Sequence, residues 1–329
     1  MPFQARMVEI IRKQMPESIS LSAEVSRILQ VSHDSAYRRL RCETAFSLDE
    51  IVLVCRDFQV PIETLTDFIG DVISFRHKPV GNSLEEFTTF LTYFFSQINT
   101  ISKFDSREII YAAEDIPIFH HYAFPQLSNF KFFYWRKAIL NDETLQNQQF
   151  STSVSEPQLL ELARKANEAY SEVKTAEIWT SETVTSSIQQ IKFFWEAGLF
   201  EKRCDIDQVI DELEMLIKNF QKQCDLGLKI KPDGMVTQTP FTCYLSDLMI
   251  GNNCVLVKTN GNKTTFISYN TFCFMNTRNP EFNHSNELWI NNLMSKSNQI
   301  SRNGEKIRIQ FFKALHRKVA ELRKFVEDN

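Results

Sequence analysis

Ser32, His33, Asp34, Ser35, Tyr37, Arg38, Arg39 and Arg41 crowd into ten residues, and every one of these side chains can donate or accept a hydrogen bond. A guanidinium can donate bidentately to guanine, and a carboxylate can accept from cytosine N4. Hydroxyls near a helix N-terminus suit phosphate oxygens. Set on one face of a short helix whose other face is packed, these groups fit a DNA major groove. Two plainer uses are a solvated basic helix face and a surface for a protein partner.

The flanking residues supply such a helix. Met7, Ile10 and Ile11 recur at helical spacing and predict a first helix over residues 3–14, ended by Pro16. Ser20 is a good cap for a second helix over 21–29, with Leu21, Val25, Ile28 and Leu29 inward. Val31 is the apolar residue of the turn, and Ser32 caps a third helix over 33–41. Ala36 and Leu40, four apart, face the core, which turns His33, Asp34, Tyr37, Arg38 and Arg41 outward. Ser47 and Glu50 form a capping box, with Phe46 and Ile51 at the staple positions. They open a fourth helix over 48–58, expected to bury Leu48, Ile51, Val52 and Val54 or Cys55. Pro61 breaks it, and Ile62–Leu65 starts a fifth.

Five short helices in this order resemble the lambda-repressor and Cro type of helix-turn-helix, often called XRE. The resemblance runs without a gap from Val25 to Leu65, about a fifth of the chain with its flanks. The stretch DSAYRRLR, with Glu43 after it, is most similar to a BetR-like subgroup. The chain departs from the pattern at Gln30 and Cys42, where glycine is usual, and at Arg39, often apolar, with Leu40 taking over the core contact. The resemblance implies that His33, Asp34 and Arg38 reach base edges. It implies that Ser32, Ser35, Tyr37 and Arg41 touch phosphate or the groove wall. Double-stranded DNA is then the partner.

Charge gives this reading only local support. The chain carries a net charge of −4, and residues 1–69 hold 8 Lys and Arg against 10 Asp and Glu. Phosphate neutralisation must therefore come from a patch. A second basic stretch, residues 296–324, holds 9 Lys and Arg against 2 Asp and Glu. It could touch DNA flanking the operator or an acidic partner, or form a solvated helix face. The 7 cysteines are scattered, with no C-x-x-C, and read as reduced thiols of a cytoplasmic protein. No apolar run follows a basic start, so no signal peptide is expected, and no segment reads as a membrane span.

Residues 70–82 read as a linker, with Gly70, Pro79 and Gly81. Ser83 and Glu86 form another capping box, opening a helix to about Phe104. Helices are expected over 116–122, 129–140, 155–173, 181–197 and 205–224, with short strands at 109–112 and 176–179. His120 and His121 invite a metal or catalytic role. However, no carboxylate or cysteine stands at matching helical spacing, and adjacent residues point to different faces. After Pro240 alternation takes over: Cys254–Thr259 and Lys263–Ser268 flank Asn260-Gly261-Asn262, a strong hairpin signal. Residues 242–250 and 270–276 could supply neighbouring strands, and helices follow over 284–299 and 304–326.

The expected fold is mainly α with a smaller α+β part. It comprises a five-helix helix-turn-helix domain over 1–69, a helical middle region, and a C-terminal antiparallel sheet of three or four strands with helices. Residues 83–329 would sense a signal or dimerise. No phosphate loop, H-E-x-x-H or G-x-S-x-G is present, so no catalytic residue, metal or cofactor is expected. The expected function is sequence-specific DNA-binding regulation by a homodimer, with helices 205–224 and 304–326 as candidate dimer faces and an unknown small-molecule or protein effector. The alternatives are an interaction adaptor using the N-terminal helices and an enzyme with an accessory DNA-binding head.

Overall fold

A computed structural model describes residues 3–15, 20–58, 60, 62–65 and 73–329. Pro16, Pro61 and residues 70–72 of the expected linker lie outside them. The chain divides into two compact units, Met1–Ser74 and Phe75–Asn329.

In the first unit, α1 spans Phe3–Gln14 and α2 spans Leu21–Leu29. The Ser20 hydroxyl accepts from Ala23 N, and Gln30 closes α2 in the left-handed region at φ 54°. α3 spans His33–Leu40, capped by Ser32, whose Oγ accepts from Ser35 N. α4 spans Leu48–Asp57 behind the Ser47–Glu50 capping box, and Ile62–Leu65 forms a 3-10 turn. Met7, Ile11, Val25, Ala36, Leu40, Phe46, Val54 and Cys55 are buried together. Leu48 and Val52 depart from expectation: they are 74% and 42% exposed. The inward arc of α4 runs through Ile51, Val54, Cys55 and Phe58. Leu48 and Val52 fall on the adjoining face.

The second unit is mixed α and β. It opens with β1 (Arg76–His77), which sits inside the stretch expected to be linker and pairs in the sheet. Then come α5 (Leu84–Ile101), β2 (Arg107–Ala112), α6 (Ile118–His121) and α7 (Pro125–Tyr134). A single π turn over Trp135–Ile139 follows α7. Next are α8 (Pro157–Ser171), β3 (Lys174–Trp179), α9 (Thr185–Glu196) and α10 (Arg203–Leu226). Strands β4 (Leu228–Ile230), β5 (Val236–Leu245), β6 (Cys254–Thr259), β7 (Asn262–Ser268) and β8 (Phe274–Thr277) come next. The chain ends with α11 (Pro280–Ser295), β9 (Asn298–Gln299) and α12 (Glu305–Asp328).

Among the described residues the strands form one nine-stranded sheet, ordered β1-β8-β7-β6-β2-β3-β5-β4, with β9 on β5. The sheet is mixed, where an antiparallel one was expected: β2, β3 and β5 are parallel neighbours. The helical segments between them are long enough for the crossovers that parallel pairing needs. The Asn260-Gly261 turn, with φ 44° and 82°, joins β6 to β7 as the sequence implied.

Period-two alternation divides the sheet between two cores. Ile109 and Tyr111 enter a large aromatic-rich cluster shared with α5 to α10 and α12. Ile110 and Ala112 enter a smaller one under α11. The apolar stripes of α10 and α12, expected as dimer faces, are spent here. Ile210, Leu213 and Ile217 are buried in the same cluster as Phe312, Leu315 and Leu322. No described helix is long and apolar enough to cross a membrane.

Candidate functional site

The α3 surface is built by the turn of one helix. Ala36 and Leu40 are buried, and Ser32, His33, Asp34, Tyr37, Arg38 and Arg41 are exposed. His33 Nε2 lies 3.0 Å from Ser22 Oγ on α2, which ties the N-terminus of α3 to its neighbour. The Arg41 guanidinium stands 5.8 Å over the Tyr37 ring and 3.0 Å from a Glu43 carboxylate oxygen. Arg38 has no ion pair or side-chain hydrogen bond among the described residues. Asp34 lies in the first turn, where the helix dipole favours negative charge.

Two members of the cluster are set apart from that surface. Arg39 turns inward and grips Glu50 with two bonds of 2.9 and 3.1 Å, and also donates to the Ser35 hydroxyl and carbonyl. Ser35 is half-buried and held by Arg39. The pair Arg39–Glu50 therefore fastens α3 to α4, and Ser47 N donates to the same carboxylate. Burial pushes the Glu50 carboxyl up, but Arg39 and the Ser47 amide outweigh it and leave it below 4.5. Four of the nine cations of the second basic stretch are paired within the chain. Arg308 pairs with Asp225, Lys318 with Glu182, Arg317 with Glu321, and Arg323 with Asp211.

The second unit carries two buried polar clusters that no sequence spacing announces. In the first, Glu177 is 0% exposed, because the alternation of β3 aims it with Trp179 into the aromatic core. His120 Nε2 lies 2.9 and 3.0 Å from its oxygens, Tyr170 OH donates at 2.7 Å and Trp179 Nε1 at 2.8 Å. Lys229 Nζ is 3.6 Å away and stands 3.7 Å over the Tyr170 ring. Burial would raise the Glu177 carboxyl, but the charges of His120 and Lys229 and the bonds to it hold it at about 2. Burial draws Lys229 down to about 8 against the pull of Glu177. With its oxygens filled, Glu177 is a structural anion that joins α6, α8, β3 and β4.

The second cluster joins Asp115, Lys131, Ser186, Ser187 and Gln190. His121 Nε2 meets Ser187 Oγ at 3.2 Å, and burial with the nearby Lys131 charge holds this imidazole well below 6.5. The partners of the two histidines thus come from β3 and α9, which is why helical spacing missed them. The one local hint was Glu177 two residues before Trp179 in a strand pattern. Among the described residues no group of three or more His, Cys, Asp or Glu is arranged to hold a metal.

Comparison with protein-family models, curated proteins and solved structures finds no match to this chain.

Proposed function

We propose that the protein is a sequence-specific DNA-binding regulator that lays α3 in the major groove as the recognition helix of a helix-turn-helix. The observation that carries this reading is the division of α3. Ala36 and Leu40 fix it to the core, and His33, Asp34, Tyr37, Arg38 and Arg41 are exposed on the opposite face. His33, Asp34 and Arg38 read base edges, and Ser32, Tyr37 and Arg41 meet phosphate or the groove wall. Ser35 serves indirectly, through the Arg39 contact that sets α3 on α4. Eight helical residues span few base pairs, so the working form is a homodimer on two half-sites. Since α10 and α12 bury their stripes internally, the dimer contact lies on other surfaces.

Selection from a random duplex pool followed by binding titrations tests this. Arg38→Ala is expected to cost about 1–3 kcal/mol on the selected sequence and to relax preference at one position. Arg41→Ala is expected to weaken binding to all sequences alike and to reduce the salt slope by about 1. No salt-dependent duplex binding by the folded chain would overturn the reading.

A second reading has its own observation. Leu48 and Val52 expose an apolar strip on α4, and such a strip suits a protein partner. An adaptor would lose its partner on Leu48→Lys and be indifferent to Arg38→Ala.

A further inference from the structure

Parallel strands β2 and β3 end at Ala112 and Trp179, and the segment leaving β2 lines a hollow with Asp115, Ile116 and Ile118. The space outside the carboxyl ends of parallel strands is where open α/β sheets accommodate ligands. Here it is walled by Phe90 and Phe94 of α5, Trp135 of the π turn, Phe272, Asp115 and Lys131. Its enclosed part is small, with room for water and not for a ring. With the side chains as they stand, about 30 Å³ admits the centre of a water molecule.

The polar part of the wall is built and incompletely closed. Lys131 is 2% exposed, and donates to Ser187 Oγ at 2.9 Å and Gln190 Oε1 at 2.8 Å. An ammonium has three donors, and the Asp115 carboxylate lies 3.7 Å off, beyond hydrogen-bond reach. Asp115 itself accepts from Ile116 N at 2.7 Å, from the Ser186 hydroxyl at 3.1 Å and from the Ser187 hydroxyl at 3.4 Å. One oxygen set between the two groups could accept from Lys131 and donate to Asp115, and a hydroxyl does both. Because the two charges cancel, a neutral ligand avoids the desolvation penalty that a second ion would bring. The aromatic remainder of the wall suits a ring.

We propose that this hollow binds a small neutral phenol or aromatic alcohol, with its hydroxyl bridging Asp115 and Lys131 and its ring against Trp135 and Phe272. Phe94 and Phe274 are half-buried and stack at 6.4 Å between ring centroids. A ring enters only when these two side chains swing outward. The use of this site as the signal input of a regulator rests on the DNA-binding reading; its occupancy does not.

The test is titration of the full chain with 4-fluorophenol, followed by fluorine NMR without DNA. Saturable binding is expected, with fluorobenzene and 4-fluorobenzoate each weaker by about tenfold or more. Thr271→Trp adds bulk at an exposed position of the wall and should weaken phenol binding by about tenfold. Asp115→Asn keeps the acceptor for Ile116 N and should weaken the phenol while leaving fluorobenzene unchanged. No saturable binding by the folded wild-type chain up to about 10 mM overturns the site. So does phenol binding that ignores both variants, or fluorobenzene and 4-fluorobenzoate binding as tightly as the phenol. If duplex binding fails while the titration succeeds, only the regulatory reading falls.

Discussion

Arg38, Arg39 and Arg41 share a side-chain type, yet one turn of helix gives them different work. Arg39 is tied to Glu50 and Ser35, so its loss should be felt in folding rather than in groove contact. Arg39→Met is expected to destabilise the first unit by about 1–3 kcal/mol, read by urea unfolding at neutral pH. The Glu50 carboxyl titrates lower in the folded chain than its ordinary 4.5. Its contribution is therefore complete above that value and disappears as pH falls through the lower folded one. Arg39→Met should accordingly flatten the acid limb of the stability profile; an unchanged limb would place the link elsewhere. The sequence grouped Arg39 with Arg38 and Arg41 and gave the core contact to Leu40, so the inward turn of Arg39 toward Glu50 was not legible in it. The glycine departures have a backbone meaning as well. Gln30 and Cys42 both sit at positive φ, 54° and 61°. A side chain there costs about 1–2 kcal/mol, against which glycine loses about 0.5–1 kcal/mol of chain entropy. Gln30→Gly should be neutral or stabilising by up to about 1 kcal/mol, and Gln30→Val destabilising. Thermal unfolding of the two variants would settle the sign.

Single elements were easy to read where their signal is local. The Ser47–Glu50 and Ser83–Glu86 boxes, the Asn260-Gly261 turn and the apolar stripes of α10 and α12 are all present as the sequence implied. What sequence withheld was partnership across distance. A stripe states that a helix must bury a face, not whether the covering surface belongs to the same chain. Strand β2 carries no mark that its neighbours are β3 and β6. The Glu177 cluster is the sharpest case, since His120, Tyr170 and Lys229 come from α6, α8 and β4. Glu177→Gln would leave the buried Lys229 without its counter-charge and should cost about 3–5 kcal/mol. Adding Lys229→Met should recover part of that loss, giving a favourable coupling in a double-mutant cycle. A simple packing role for Glu177 would instead give additive losses. The pH dependence has a definite sign. With the folded carboxyl at about 2 against 4.5 unfolded, its stabilisation holds above 4.5 and drains away toward 2. Wild type should lose stability through that window faster than the Glu177→Gln chain.

On the scale of the whole molecule, the two units have unequal reserves. Met1–Ser74 has a small core around Val25, Ala36 and Val54, and Phe75–Asn329 a far larger aromatic one. The fraction of surface buried on folding rises with chain length, so the smaller unit has the thinner margin. Calorimetry of the full chain should therefore resolve two transitions, the lower belonging to the first unit. Leu40→Ala removes a buried side chain beneath α3 and should lower that transition alone, by about 2–5 kcal/mol. Binding to one folded unit stabilises that unit by mass action, about 2.7 kcal/mol at a hundredfold excess over Kd. A selected DNA duplex should accordingly raise chiefly the lower transition, and 4-fluorophenol chiefly the upper. A ligand that moved both would reveal coupling between the units, the property a regulator needs if its signal is to reach α3. A duplex that moved only the upper transition would take DNA away from α3 and, with it, the proposed recognition helix.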